Sequence, residues 1–171
     1  MGCDVLRLFV AVNFSRETRE RLATLQDELR TRSARGGFTA LENLHLTLAF
    51  LGDCDPRQTA AAKAAVGSTQ FEPFDMRFDR IGCFGRERES LWWAGVSASK
   101  ALMDLHGALT RALATAGFEP ERRKYSPHVT LARQVETDAR SRSVEPFSET
   151  VNGIHLMKSE RVYGKLTYTS I

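Results

Sequence analysis

Glu42-Asn43-Leu44-His45-Leu46-Thr47-Leu48-Ala49-Phe50-Leu51-Gly52 is the stretch whose reading decides the fold. A histidine and a threonine stand two positions apart in an otherwise apolar run. In an extended chain, residues i and i+2 share a face and their neighbours take the other. His45 and Thr47 then look one way, while Leu44, Leu46, Leu48 and Phe50 look the other way, into a core. A strand anchored along that length holds an imidazole and a hydroxyl side by side with little freedom. The device returns late in the chain, in Tyr125-Ser126-Pro127-His128-Val129-Thr130-Leu131-Ala132-Arg133.

One histidine followed by apolar, threonine, apolar carries little information. The chain has four histidines, and two such matches arise by chance in about one of a thousand sequences of this composition. The pair is therefore read as a site rather than as two hydrogen-bonded core histidines beside threonines chosen for their β-propensity. His106 is spaced with Leu102, Leu109 and Leu113 along an expected helix, and reads as packed or at a boundary. His155, in an expected closing strand without a companion threonine, reads as structural.

Working outward, residues 6–12 are apolar and rich in Val and Phe, as a buried strand requires. Ser15 is placed to cap a helix running to about Arg32, with Leu22, Leu25 and Leu29 on one face. Arg35-Gly36-Gly37 breaks the chain ahead of the His45 strand. Asp55 and Pro56 open a second helix, filled by the Ala-rich residues 60–66. Phe74-Asp75-Met76-Arg77-Phe78 alternates as a half-exposed strand. Residues 81–86 read as a loop or strand end, and Glu87, Arg88 and Glu89 as a hairpin tip. Residues 91–96 form another strand, with Trp92 and Trp93 on opposite faces and core packing the default for both. Ser99 caps a third helix, stopped near Gly117. Residues 119–124 form a charged loop whose Arg122, Arg123 and Lys124 lie just before the second motif. Residues 137–143 are polar and expected to be exposed. Residues 151–157 and 162–168 are expected to be closing strands joined by a turn near Ser159 and Glu160. Strands outnumber helices, and each His-x-Thr strand follows a helix. The expected class is α+β: one domain over residues 1–171, made of two similar lobes, each a sheet covered on one face by helices.

Composition narrows the class further. Hydrophobic residues make up 42% and charged residues 26% of 171, as in soluble globular proteins. The net charge of +3 suits a phosphate-bearing partner but does not require one. Cys3, Cys54 and Cys83 are scattered without Cys-x-x-Cys spacing, so neither a disulfide framework nor a zinc site is expected, and a reducing cytoplasm is. No secretory signal pattern opens the chain, and no apolar run approaches the roughly 20 residues that span a bilayer. No membrane association is expected.

Two imidazoles on opposing strands suit phosphodiester cleavage without a metal. That reaction needs a base for the attacking water, an acid for the departing oxygen, and donors for the non-bridging oxygens. In-line displacement puts nucleophile and leaving group on opposite sides of phosphorus, so one ring can stand on each side. Histidine titrates near neutrality, so one ring can be neutral while its partner is protonated. The threonine hydroxyls can donate to phosphate oxygens.

These motifs resemble those of the 2H phosphoesterase superfamily. Within it, Leu44-His45-Leu46-Thr47-Leu48-Ala49-Phe50-Leu51-Gly52 and Pro127-His128-Val129-Thr130-Leu131-Ala132-Arg133 look like the bacterial and archaeal RNA 2′,3′-cyclic phosphodiesterases, once called 2′-5′ RNA ligases. Arg7-Leu8-Phe9-Val10-Ala11 and Leu91-Trp92 are similar to other strands of that family. The resemblance implies a bilobal fold with two antiparallel sheets, helices on their outer faces and a central cleft. It also implies metal-independent opening of an RNA terminal 2′,3′-cyclic phosphate to a 2′-phosphate; no cofactor and a monomer are expected. His45 would be the proton donor and His128 the proton acceptor. Thr47 and Thr130 would hold phosphate oxygens, and Arg133 would add a cationic contact. Strict alternation puts Ala132 on the side of Thr130 and Arg133 away from it, so Arg133 needs a strand end or a bulge to reach the site. The segment before the first motif and the closing residues 159–168 match the family only loosely. Two alternatives stand beside this reading: a phosphodiesterase for another small cyclic nucleotide, and a non-catalytic RNA-binding module. The intact His and Thr of both motifs argue against the second.

Overall fold

The computed structural model describes residues 4–86 and 90–171. Cys3 and the hairpin tip expected at Glu87, Arg88 and Glu89 lie outside the described residues. In chain order the elements are β1 (Leu6–Asn13), α1 (Arg16–Thr31), β2 (Ser33–Phe38), a 3-10 turn (Leu41–Asn43), β3 (His45–Cys54), α2 (Pro56–Ser68), β4 (Phe74–Phe84), β5 (Leu91–Val96), α3 (Lys100–Thr115), β6 (His128–Thr137), β7 (Arg142–Val151), β8 (His155–Val162) and β9 (Lys165–Ser170). The strands form a four-stranded sheet, β3-β1-β8-β9, and a five-stranded sheet, β2-β6-β5-β4-β7. Every pairing in both is antiparallel. This is the α+β architecture expected. Among the described residues no helix is long and apolar enough to cross a membrane.

The helices start where the sequence places their caps. Ser15, Asp55 and Ser99 each accept a hydrogen bond from a backbone N–H of the first turn, and Asp55 forms a reciprocal capping box with Gln58. Glu149 on β7 strengthens the first of these caps by accepting from Ser15 N–H, Ser15 Oγ and Thr18 Oγ1. α1 packs on β2, β6 and β7, whereas α2 packs on β1, β3 and β8 and lies beside α3. One hydrophobic cluster joins both sheets, with Val10 and Leu46 from the first, Phe78 and Leu131 from the second, and Leu22 and Leu105 from the helices. A smaller cluster of Phe9, Ala11 and Met157, with Tyr168 against it, sits on the opposite face of the four-stranded sheet.

Two local expectations are corrected, and two stretches gain a definite place. Arg35-Gly36-Gly37 is not a break but part of β2, an edge strand paired with β6. It carries no apolar alternation because most of it is exposed, and backbone pairing needs none. Of the two readings open for residues 81–86, the strand end holds for 81–84, which continue β4 and pair with β5. Gly82 admits the ring of Trp93 there, where a Cβ would come within 2.4 Å of the indole. The polar residues after 141 form β7, the other edge of the five-stranded sheet. Its Pro146 is tolerated because an edge strand need not donate on its outer side. Ser159 and Glu160 lie inside β8, paired with Tyr168 and Thr167. The turn is instead Tyr163-Gly164, with φ of 49° and 78°, the left-handed pair that a two-residue hairpin requires.

Leu46 is fully buried directly behind His45 and Thr47. Leu46→Ala is expected to cost about 2–5 kcal/mol of stability, through lost transfer energy and the cavity left behind. Urea unfolding measures it, and a loss below 1 kcal/mol would put that side chain outside the packed core.

Candidate active site

Both motifs open a strand: His45 is the first residue of β3 and His128 the first of β6. Alternation holds at first, with Leu44, Leu46 and Leu48 buried behind His45 and Thr47. It then fails. Ala11 pairs with Thr47 and Val10 with Ala49, so Leu48 is an extra residue that opposes none on β1. After this bulge the faces exchange. Phe50, expected in the core with the leucines, is 71% exposed and lines the cleft. The second motif does the same. Trp93 pairs with Thr130 and Trp92 with Ala132, which leaves Leu131 as the extra residue. Leu131 and Ala132 both face the core, fully buried, and Arg133 returns to the cleft beside His128 and Thr130. This bulge is the irregularity that Arg133 needs. Phe50 and Arg133 therefore hold equivalent places in the two motifs. The Leu131 carbonyl accepts from Gln26 Nε2 at 2.9 Å and Thr39 N–H at 2.9 Å. Gln26 is buried on α1.

The two rings are oriented alike. His45 Nδ1 lies 2.6 Å from the Asn43 carbonyl, and His128 Nδ1 lies 2.7 Å from the Ser126 carbonyl. A carbonyl only accepts, so each Nδ1 carries the proton and Nε2 is the atom left to exchange one. His45 Nε2 is 2.9 Å from Thr47 Oγ1. The hydroxyl donates to a neutral ring and accepts from a protonated one. Asn43 is itself buried and held by β9, its Nδ2 donating to the Leu166 carbonyl at 2.9 Å.

The surroundings of the rings differ. His45 packs against Phe9, with ring centres 4.9 Å apart, and edge-on against Tyr168 at 5.2 Å. Burial by these rings lowers its pKa below the ordinary histidine value, opposed by the hydrogen bond to Asn43. His128 is half-buried and meets Phe84 edge-on at 5.3 Å. Burial raises the Tyr168 pKa, and Arg133 and Arg7 draw it back down.

His45, Thr47, His128, Thr130 and Arg133 all line one cleft, with a cavity volume of about 920 Å³. That is large enough for a nucleotide. Lys124 and Lys165 also line it. Sequence reading missed three aromatic members. Phe50 was hidden by the bulge, Phe84 by a segment left open between loop and strand end, and Tyr168 by the loosely matched closing strand. His106 is half-buried, as a boundary residue should be, but its ring also stacks on Tyr125 beside the cleft. Trp92 is buried, Trp93 lies on the other face against Phe84, and neither lines the cleft. His155 is exposed at the start of β8. Among the described residues no three His, Cys, Asp or Glu side chains group so as to hold a metal ion.

A family model described as the 2′-5′ RNA ligase superfamily matches residues 14–162. The chain belongs to that superfamily, the 2H phosphoesterases. A superfamily member from Methanothermobacter thermautotrophicus, named RNA 2′,3′-cyclic phosphodiesterase, is 30% identical over 97% of this chain and 96% of its own length. One of the same name from Escherichia coli is 28% identical over 96% of this chain and 93% of its own. The crystal structure of E. coli LigT complexed with 3′-AMP superposes with a TM-score of 0.81 at 25% identity, covering 98% of this chain and 96% of that one.

In an NMR titration the His45 ring should have its midpoint below the free histidine value of about 6.5. Inorganic phosphate should raise it, because a bound anion favours the imidazolium. The sign for stability follows. As pH falls below about 6.5 the unfolded chain takes up the proton first, so His45 subtracts stability on acidification down through its folded pKa. A midpoint above 6.5 without phosphate would contradict the burial seen here.

Proposed function

We propose that this superfamily member hydrolyses the terminal 2′,3′-cyclic phosphate of RNA or short oligonucleotides to a 2′-phosphate, by paired histidines and without a metal or cofactor. The observation that carries the reading is the convergence of two His–Thr pairs on one cleft, each ring pinned through Nδ1 so that Nε2 is the reactive atom. The names of the relatives support the substrate.

In this mechanism a water lies between His128 and phosphorus. His128 Nε2 takes its proton as the new P–O bond forms. The P–O3′ bond breaks on the opposite side, and His45 Nε2 gives its proton to O3′. One water is consumed, and the products are a 2′-phosphate and a free 3′-hydroxyl. Thr47 and Thr130 donate to the non-bridging oxygens, and Arg133 balances the phosphate charge. Burial leaves His45 neutral in the free protein more readily than an exposed ring, and the arriving phosphodiester anion restores its acid form. The exposed rings of Phe50 and Phe84 on the two walls suit the flat, unstacked base of a single-stranded end. Lys124 and Lys165 suit the backbone behind it. The same bulge in both motif strands supports treating residues 1–171 as one domain of two pseudo-symmetric lobes; that it works as a monomer in the cytoplasm is part of the proposal.

Hydrolysis of a 2′,3′-cyclic nucleotide should persist in EDTA, and His45→Ala and His128→Ala should each lose about 10²–10⁴-fold in kcat, the usual worth of general acid or base catalysis. Abolition by EDTA would refute the metal-free path. An analogue with sulfur at the 3′ bridging position leaves without a proton. It should restore most of the lost rate to His45→Ala and little to His128→Ala, and the opposite pattern would exchange the two roles.

A further inference from the structure

The two motifs hold each other in place. Tyr125, in the segment entering β6, donates its hydroxyl to the Thr47 carbonyl on β3 at 2.9 Å. Thr39, in the segment entering β3, donates its hydroxyl to the Thr130 carbonyl on β6 at 3.0 Å. Each lead-in thus bonds the other motif's threonine, at the carbonyl that precedes the bulged leucine. The Tyr125 bond joins the two sheets, since β3 and β6 share no ladder. Thr39 directly follows β2, the neighbour of β6, and its bond anchors the chain to the five-stranded sheet at the point where it leaves for β3. Both donors are themselves fixed. Tyr125 is stacked on the His106 ring of α3, with centres 3.8 Å apart and planes 4° from parallel. Thr39 is held on both sides of its peptide, its N–H on the Leu131 carbonyl and its own carbonyl on Gln26 Nε2 at 2.8 Å.

We infer that Thr39 and Tyr125 are positioning residues, a reciprocal pair of hydroxyl braces that sets the separation of the two His–Thr pairs across the cleft. The geometry of the reaction gives this meaning. Two rings must stand on opposite sides of one phosphorus, and misplacement by a fraction of an ångström is costly. The two sheets share no backbone ladder that would fix that spacing. A hydroxyl bonded to the main chain of a catalytic threonine fixes it at the residue where it matters. Neither brace has to touch the substrate. The inference rests on the two His–Thr pairs acting on one phosphate, as proposed above.

Tyr125→Phe keeps the stack on His106 and removes only the hydroxyl. Thr39→Val keeps the shape and removes the donor, while Thr39→Ser keeps the donor. With a 2′,3′-cyclic nucleotide, Tyr125→Phe and Thr39→Val should each lower kcat about tenfold with KM changed by less than about threefold, and Thr39→Ser should remain near the parent. The double variant should lose less than the product of the single losses, since both act on one distance. Inorganic phosphate affinity, read by calorimetry, provides a measure independent of turnover. It should weaken in Tyr125→Phe and Thr39→Val and hold in Thr39→Ser. An inactive parent would sink the substrate assignment, and the braces would then be judged on phosphate affinity alone. Parent-like kcat and phosphate affinity in both hydroxyl-deletion variants would overturn the braces. So would equal losses in Thr39→Ser and Thr39→Val.

Discussion

A regular strand presents every second side chain to one face, and that limits what it can offer a ligand. After His45 and Thr47, or His128 and Thr130, strict alternation would next present Ala49 or Ala132. The bulges at Leu48 and Leu131 replace those alanines with Phe50 and Arg133. They also leave main-chain groups without ladder partners, and buried groups of that kind must be satisfied elsewhere. The Leu131 carbonyl itself is bonded on the β2 side of its strand, by Gln26 on α1 and by Thr39. The placement of α1 on the five-stranded sheet and the path of the chain into β3 both meet at the Leu131 carbonyl of β6.

The second feature is that two chemically identical rings have different surroundings. Orientation does not separate them, because each Nδ1 meets a carbonyl two residues earlier in the chain. Packing does. Phe9 and Tyr168 close around His45, and the cluster they belong to is the only patch of core among the described residues that lies on the cleft face of the four-stranded sheet. His128 meets one ring edge-on, and its Nδ1 contact is exposed where that of His45 is part-buried. Desolvation penalises the charged form of a histidine, and a nearby anion favours it. Burial by these walls lowers the His45 pKa, and an anion beside the ring would raise it again.

Much of this was legible because it is periodic. The duplicated His-x-Thr marks both site strands, and the leucine spacing and serine or aspartate caps locate all three helices. What escaped were elements whose side chains carry no pattern. β2 and β7 are edge strands held by backbone pairing, one glycine-rich and the other polar with a proline. Tyr163 bears a left-handed φ that its side chain does not advertise, so the closing turn was placed inside β8. Phe50 was the instructive error. Hydrophobicity and alternation agreed on the core, and a bulge that no local residue announces sent it to the cleft. Arg133 was the converse: its charge pointed to the site, alternation pointed away, and the same kind of bulge reconciled them.

That one strand device ends in an arginine on one side and a phenylalanine on the other bears on what the cleft can hold. A site for inorganic phosphate alone would gain from a cation in both places. A site for an apolar ring alone would gain from two aromatic groups. Here a guanidinium stands beside one His–Thr pair and a bare aromatic face beside the other, with Phe84 exposed across from it. The ligand class that matches both is one with a charged ester at its centre and a flat ring beside it. The ring must also be free of other stacking partners. A nucleotide at the end of a single strand meets all of these requirements, and a paired one buried in a duplex does not.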